Sequence, residues 1–170
     1  MICPNCGYDN LPGSEECAGC LQDLTQLDRP IAHNKVERSL MEDPVSALRP
    51  REPVVLRATA TVRDAIRLML ARDIGALLVV DNQGKLVGIF SERDLLTKVA
   101  GKEGYGDKPI KEFMTPNPET ISSSENLAFA LHKMDGGGYR HLPIIAQGRP
   151  TGVISVRDLL RHITRLCKDA

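Results

Sequence analysis

Two stretches decide the reading of this chain: GIFSERDLL, from Gly88 to Leu96, and GVISVRDLL, from Gly152 to Leu160. Both place Gly, an apolar pair, Ser and then Asp-Leu-Leu at the same spacing, and the likeness extends outward on either side. Upstream, the amphipathic stretches TVRDAIRLMLARD and NLAFALHKMDGG correspond, followed by the apolar runs GALLVV and YRHLPII. Val62, Ala65, Ile66, Met69 and Leu70 share one helical face, and Leu127, Ala130, Leu131 and Met134 repeat it. The turns DNQGK and AQGR, centred on Gly84 and Gly148, lead into LVGIF and PTGVI, and each S-x-x-D-L-L opens a second helix. The chain after Pro44 is therefore an internal duplication, each copy running strand, helix, strand, strand, helix.

This order, with two G-h-x-S-x-x-D segments (h apolar) and RHLPII, resembles the CBS domain, named from cystathionine β-synthase, in the tandem form called a Bateman module. The resemblance covers roughly Val45 to Leu166. It implies an α/β (α+β) pair with pseudo-twofold symmetry and two related clefts that bind adenosine-containing ligands, and it implies assembly into a homodimer. The expected organisation is residues 1–24 as a metal-binding segment, 25–44 as a linker, 45–104 as the first CBS domain and 105–166 as the second.

S-x-x-D before Leu-Leu is also a helix capping box, which by itself explains Ser91 with Asp94 and Ser155 with Asp158. Gly88 and Gly152 lie outside that explanation, since a glycine inside a strand marks close approach of a ligand or of another backbone. The two readings are compatible, because a helix N-terminus carrying a Ser hydroxyl is suited to an anion. On the nucleotide reading Asp94 and Asp158 hold ribose hydroxyls, as acids do in dinucleotide folds, and Ser91 and Ser155 reach the first phosphate. Arg140 and His141, where the first copy has Ala76 and Leu77, supply positive charge; the resemblance points them into the cleft between copies. Arg93 and Arg157 stand where related modules place a cation reaching across the pseudo-twofold axis. The cleft of Ser91 and Asp94, with Arg140, His141 and Arg157, is expected to be the tighter; its counterpart uses Ser155, Asp158 and Arg93. AMP, ADP, ATP and S-adenosylmethionine all fit the pattern.

Four of five cysteines fall in the first twenty residues, as C-P-N-C (Cys3, Cys6) and C-A-G-C (Cys17, Cys20). Two such turns supply four soft ligands to one tetrahedral ion, zinc in the first instance. The segment resembles the short zinc ribbons of many prokaryotic proteins. Disulfides are the alternative for a secreted chain, and iron, as in rubredoxin, is the alternative metal. Too short to bury a core, the segment is expected to fold on its metal. Between Met1 and Asp28 lie Asp9, Glu15, Glu16, Asp23 and Asp28 with no Lys or Arg. Phosphate backbones depend on Lys and Arg, so protein contact is the better reading of this segment. Cys167 is expected on a buried helix face with Leu159, Leu160, Ile163 and Leu166.

Over its 170 residues the chain is 42% hydrophobic and 26% charged with zero net charge, and it has three Tyr, three Phe and no Trp. The scarcity of aromatic residues argues against the base-stacking surfaces of single-strand nucleic acid proteins. No apolar run reaches the roughly 18 residues of a membrane span, and MICPNCGYDN has neither the basic nor the apolar region of a signal peptide. A cytoplasmic location is expected. No nucleophile–base pair or open metal site is evident, and four cysteine ligands leave no vacant position, so the chain does not read as an enzyme. Three classes remain: an adenine-nucleotide sensor whose metal segment contacts a protein partner, a structural or oligomerisation protein with empty clefts, and an iron electron-transfer protein.

Overall fold

A computed structural model describes residues 1–25 and 32–168, so part of the expected linker, residues 26–31, lies outside the described residues. The chain divides into two compact units, Met1–Asn34 and Lys35–Ala170.

In the first unit the same hydrogen-bonded turn occurs twice. Cys3 donates its amide to Tyr8 O (2.9 Å) and accepts from the Gly7 amide (2.9 Å); Cys17 does the same with Gln22 O (2.9 Å) and the Leu21 amide (2.8 Å). The turn requires a left-handed residue after its second cysteine, and Gly7 (φ 73°) meets this without a Cβ penalty. Leu21 adopts the same region (φ 59°) although it is not glycine. Among the described residues of this unit, Leu24 is the only apolar side chain buried alongside Cys3 and Cys17, with Met1 and Cys20 partly covered, so the apolar core is minimal.

The second unit begins with α1 (Lys35–Glu42). The first copy follows with β1 (Val55–Arg57), α2 (Val62–Arg72), β2 (Ala76–Val80), β3 (Leu86–Ser91) and α3 (Glu92–Asp94), which continues as a wide π turn over Leu95–Val99. The second contributes β4 (Thr115–Pro116), α4 (Leu127–Gly137), β5 (His141–Ala146), β6 (Arg149–Ser155) and α5 (Val156–Lys168). Thr61 and Asp64 form a capping box at the start of α2, and Asn126 caps α4. The β2–β3 and β5–β6 hairpins turn at Gly84 (φ 79°) and Gly148 (φ 77°), as the duplicated sequence requires.

β1 pairs parallel with β2, β2 antiparallel with β3, and β3 antiparallel with β4. The second hairpin is flanked in the same way by the parallel bridge Ile121↔Ile144 and the antiparallel bridge Arg51↔Val153. The strand beside β3 thus comes from the chain leading into the second copy, and the residue beside β6 from the chain leading into the first. Packing follows the same exchange: Val45 and Leu48 join the core of Leu127, Leu142 and Ile154, while Ile110, Phe113 and Met114 join that of Val62, Leu77 and Phe90.

Val62, Ala65 and Met69 in α2 and Leu127, Ala130 and Met134 in α4 are buried as their spacing predicts. Leu70 and Leu160 are not: they stand 78% and 58% exposed, each at the edge of its apolar stripe, and Leu96 is 74% exposed. Cys167 is also exposed, a correction of the expected burial, since only the Leu159 side of α5 faces the core. The glycines have a protein explanation. A Cβ on Gly88 would overlap the Met114 sulfur, and one on Gly152 would lie 3.2 Å from Pro50 Cβ and 3.1 Å from Ile144 Cδ1. The close approach is made by the chain's own crossing segments.

Candidate functional sites

Cys3 Sγ lies 3.7 Å from Cys20 Sγ and Cys6 Sγ 3.6 Å from Cys17 Sγ; all four sulfurs fall within 4.8 Å of one another. Four thiolates about 2.3 Å from a tetrahedral ion sit roughly 3.8 Å apart, whereas a disulfide requires about 2.05 Å. The four cysteines therefore fit a metal ion. Burial works against a thiolate at Cys17, yet the Gly19 amide (3.4 Å) and the Asn10 side chain (3.5 Å), with further donors, bring its pKa down to about 6. Cys20 is lowered too, chiefly by the Asn5 amide. At Cys6 the Tyr8 amide acts downward, but desolvation and the thiols of Cys20, Cys17 and Cys3 push the value up to about 12. A cation at the centre relieves that crowding of negative charge.

The second site lies where the two copies meet. A cleft of about 130 Å³ is lined by Gly75, Ser91, Arg93, Asp94, Thr115, Tyr139, Arg140 and His141, among others. Ser91 caps α3: its hydroxyl accepts from the Asp94 amide (3.4 Å), and its own amide and hydroxyl donate to Asp94 Oδ2 at 2.9 and 2.7 Å. Ser155 and Asp158 repeat this at 2.8 and 2.6 Å. The capping box is thus built in both copies. Desolvation pushes the buried Asp94 carboxyl up, but hydrogen bonds from Lys98, Ser91 and Thr115 outweigh it and leave its pKa below the usual carboxylate value.

Arg140 and His141 join Ser91 and Asp94 in one cleft wall. Strand register corrects their counterparts by one residue: Ala76 pairs with Ser91 as His141 pairs with Ser155, and Gly75 O accepts from Glu92 N as Arg140 O does from Val156 N. Arg140 and His141 therefore replace Gly75 and Ala76. Arg93 lines the cleft of its own copy and donates to Gly138 O at 3.1 Å. Arg157 is not among the residues lining that cleft, and bears on the site through its charge, which acts on His141. Burial is the main cause of a lowered His141 pKa; Glu92 and Asp158 act upward, Arg140 and Arg157 downward. His141 therefore stands between the two S-x-x-D motifs.

Sequence reasoning did not find Lys98, whose Nζ reaches Asp94 Oδ1 at 2.6 Å, or Thr115, whose hydroxyl donates to the same oxygen at 2.9 Å. The signal for Lys98 was its i+4 spacing from Asp94; Thr115 had none. His162 places Nε2 2.8 Å from Ser39 Oγ and so docks α1 onto α5. Among the described residues no helix is long and apolar enough to cross a membrane.

The 17.7 kDa protein in the bps2 3' region of Acidianus ambivalens is 32% identical over 124 residues, 72% of this chain and 74% of that protein. A CBS domain-containing protein of Arabidopsis thaliana is also 32% identical, over 140 residues, and there the match spans only 25% of the longer chain. Among solved structures, a CBS domain protein of Pyrobaculum aerophilum complexed with AMP superimposes with a TM-score of 0.65 at 29% identity, covering 75% of this chain and 99% of that one. The CBS domain model itself matches twice, over residues 45–101 and 110–165. The duplicated sequence, the exchanged strands and these matches agree: the chain belongs to the CBS-domain family and carries its domains as a tandem pair.

Proposed function

We propose that the protein is a non-catalytic regulatory module that binds an adenine nucleotide between its CBS domains, and that its four-cysteine unit holds zinc and contacts a protein partner. The observation that carries the nucleotide reading is the cleft in which Ser91 and Asp94 of one copy meet Arg140 and His141 of the other. The AMP complex of the Pyrobaculum aerophilum relative supports it. In the cleft of Ser91 and Asp94, Arg93, Arg140, His141 and the Ser91 hydroxyl take the phosphate and Asp94 the ribose, with Arg157 adding its charge from outside the lining; in the counterpart, Ser155 takes the phosphate and Asp158 the ribose. Exposed Leu70, Leu96 and Leu160 support self-association as a homodimer. The absence of Lys and Arg from the first 28 residues favours a protein over a nucleic acid as the partner of the metal unit, and the module is assigned to the cytoplasm.

Calorimetric titration with AMP tests the reading. Binding is expected, and Arg140→Ala should weaken it by roughly ten- to a hundredfold through loss of a charge-assisted contact. No heat and no thermal stabilisation at millimolar AMP, ADP, ATP or S-adenosylmethionine would leave the S-x-x-D segments as helix caps alone.

His141 adds a pH signature. Burial holds its pKa below the ordinary value of 6.5, so the stability it contributes is complete above that value and is lost as pH falls through the folded value. A phosphate dianion in the cleft favours the protonated ring, so AMP binding takes up a proton and tightens from pH 8 to pH 7, above the range at about pH 6 in which the phosphate itself is protonated. Titration in buffers of different ionisation enthalpy measures the uptake; none in wild type, or an equal uptake in His141→Ala, would contradict it.

A further inference from the structure

The two S-x-x-D carboxylates are alike at one oxygen and different at the other. Oδ2 of each accepts the amide and hydroxyl of its own Ser. Oδ1 of Asp94 also accepts Lys98 Nζ at 2.6 Å and the Thr115 hydroxyl at 2.9 Å. Oδ1 of Asp158 has only Arg161 Nη1 at 3.5 Å among the described residues, beyond the usual length of a charge-assisted bond. A carboxylate offers about four acceptor positions. Those of Asp94 are all taken; at Asp158 one remains free and another is held only by the long Arg161 contact. Exposure agrees, at 8% for the Asp94 side chain and 30% for Asp158.

The difference originates in the sequence. The residue four beyond Asp94 is Lys98; the residue four beyond Asp158 is His162, which α1 engages through Ser39. Opposite Ile89 the crossing segment places Thr115, and opposite Val153, the matching position, it places Arg51. Lys98 is further tied to Met114 O at 3.1 Å and Thr115 Oγ1 at 3.0 Å, so it clasps the crossing strand to Asp94. The cleft beside this clasp has a volume of about 130 Å³, below the roughly 300 Å³ at which small-molecule pockets begin.

We infer that the ribose seat at Asp158 fills first, and that Lys98 and Thr115 hold the seat at Asp94 shut until a ligand displaces them. The inference rests on the nucleotide-binding reading and reverses the order expected from Arg140 and His141 alone. The hydroxyls of a ribose compete at Asp94 with an ammonium and a hydroxyl already in place, whereas at Asp158 they meet an oxygen held only by the long Arg161 contact.

Calorimetric titration of the full, metal-loaded chain with AMP tests it. Two steps are expected, the second weaker by roughly tenfold or more, the usual worth of a charge-assisted hydrogen bond. Asp158→Asn should remove the tight step and leave the weak one. Lys98→Met should bring the weak step toward the tight one, and Thr115→Val, which leaves the ion pair in place, should do so to a smaller degree. Two equal steps, a tight step lost in Asp94→Asn but kept in Asp158→Asn, or a weak step unmoved in both Lys98→Met and Thr115→Val would overturn the order of filling while leaving nucleotide binding intact. A wild-type chain that binds no AMP at millimolar concentration would remove the underlying reading itself.

Discussion

Cys17→Ser unfolds residues 1–25 and leaves the CBS pair folded. Among its described residues the unit buries one apolar side chain, Leu24, beside Cys3 and Cys17, far too little apolar area to offset the ordering of about 25 residues. Its folding free energy has to come from the metal, and structural zinc supplies on the order of 10–16 kcal/mol in small peptides. Removing one of four thiolates forfeits most of that, and a strong chelator should act the same way. Elemental analysis should give about one zinc per chain in the wild type, as four ligands to one tetrahedral ion imply. Limited proteolysis reads the outcome: the first unit becomes susceptible and the second stays protected. Continued protection after chelation would contradict the prediction, and visible absorption from iron–thiolate bonds would replace zinc by iron.

Phe90→Ala should destabilise both CBS copies together, by about 3–5 kcal/mol, the usual cost of truncating a buried aromatic residue. Phe90 is fully buried on β3 and packs with residues from both sides of the duplication boundary, including Ile110 and Phe113. Each copy lends the other the chain that leads into it, so one copy cannot lose its packing without releasing a segment of its neighbour. Urea unfolding followed by probes placed in each copy should give coincident transitions, in the wild type and in the variant, with the midpoint lowered in both. Separate midpoints, with the second copy unmoved, would show that the exchange does not couple them.

The features legible in the sequence are those set by local periodicity. The apolar faces of α2 and α4, the turns at Gly84 and Gly148, the doubled capping box and the two Cys-x-x-Cys turns all follow from spacings of a few residues. Leu70, Leu160 and Cys167 were misplaced because an apolar stripe broad enough to include them does not reveal which edge faces the core. Gly88 and Gly152 pointed correctly to close approach, but their neighbours Met114 and Pro50 arrive by nonlocal pairing that spacing does not encode. The same nonlocality hid Thr115, and with it the difference between Asp94 and Asp158. Arg140 and His141 were legible as an asymmetry between copies, although only the strand register fixed their true counterparts.

The reciprocal exchange of leading segments also bears on how such a chain could have originated. A lone copy carries one strand with no seat of its own and one seat with no strand, and both defects vanish when two identical copies face each other about a twofold axis, because a surface paired with itself satisfies every contact twice. The tandem therefore has the contact pattern that joining the two chains of such a homodimer would give. Fusion frees each half to diverge, so that one carboxylate can acquire a lysine clasp while its twin remains open, an asymmetry no symmetric dimer of identical chains could encode.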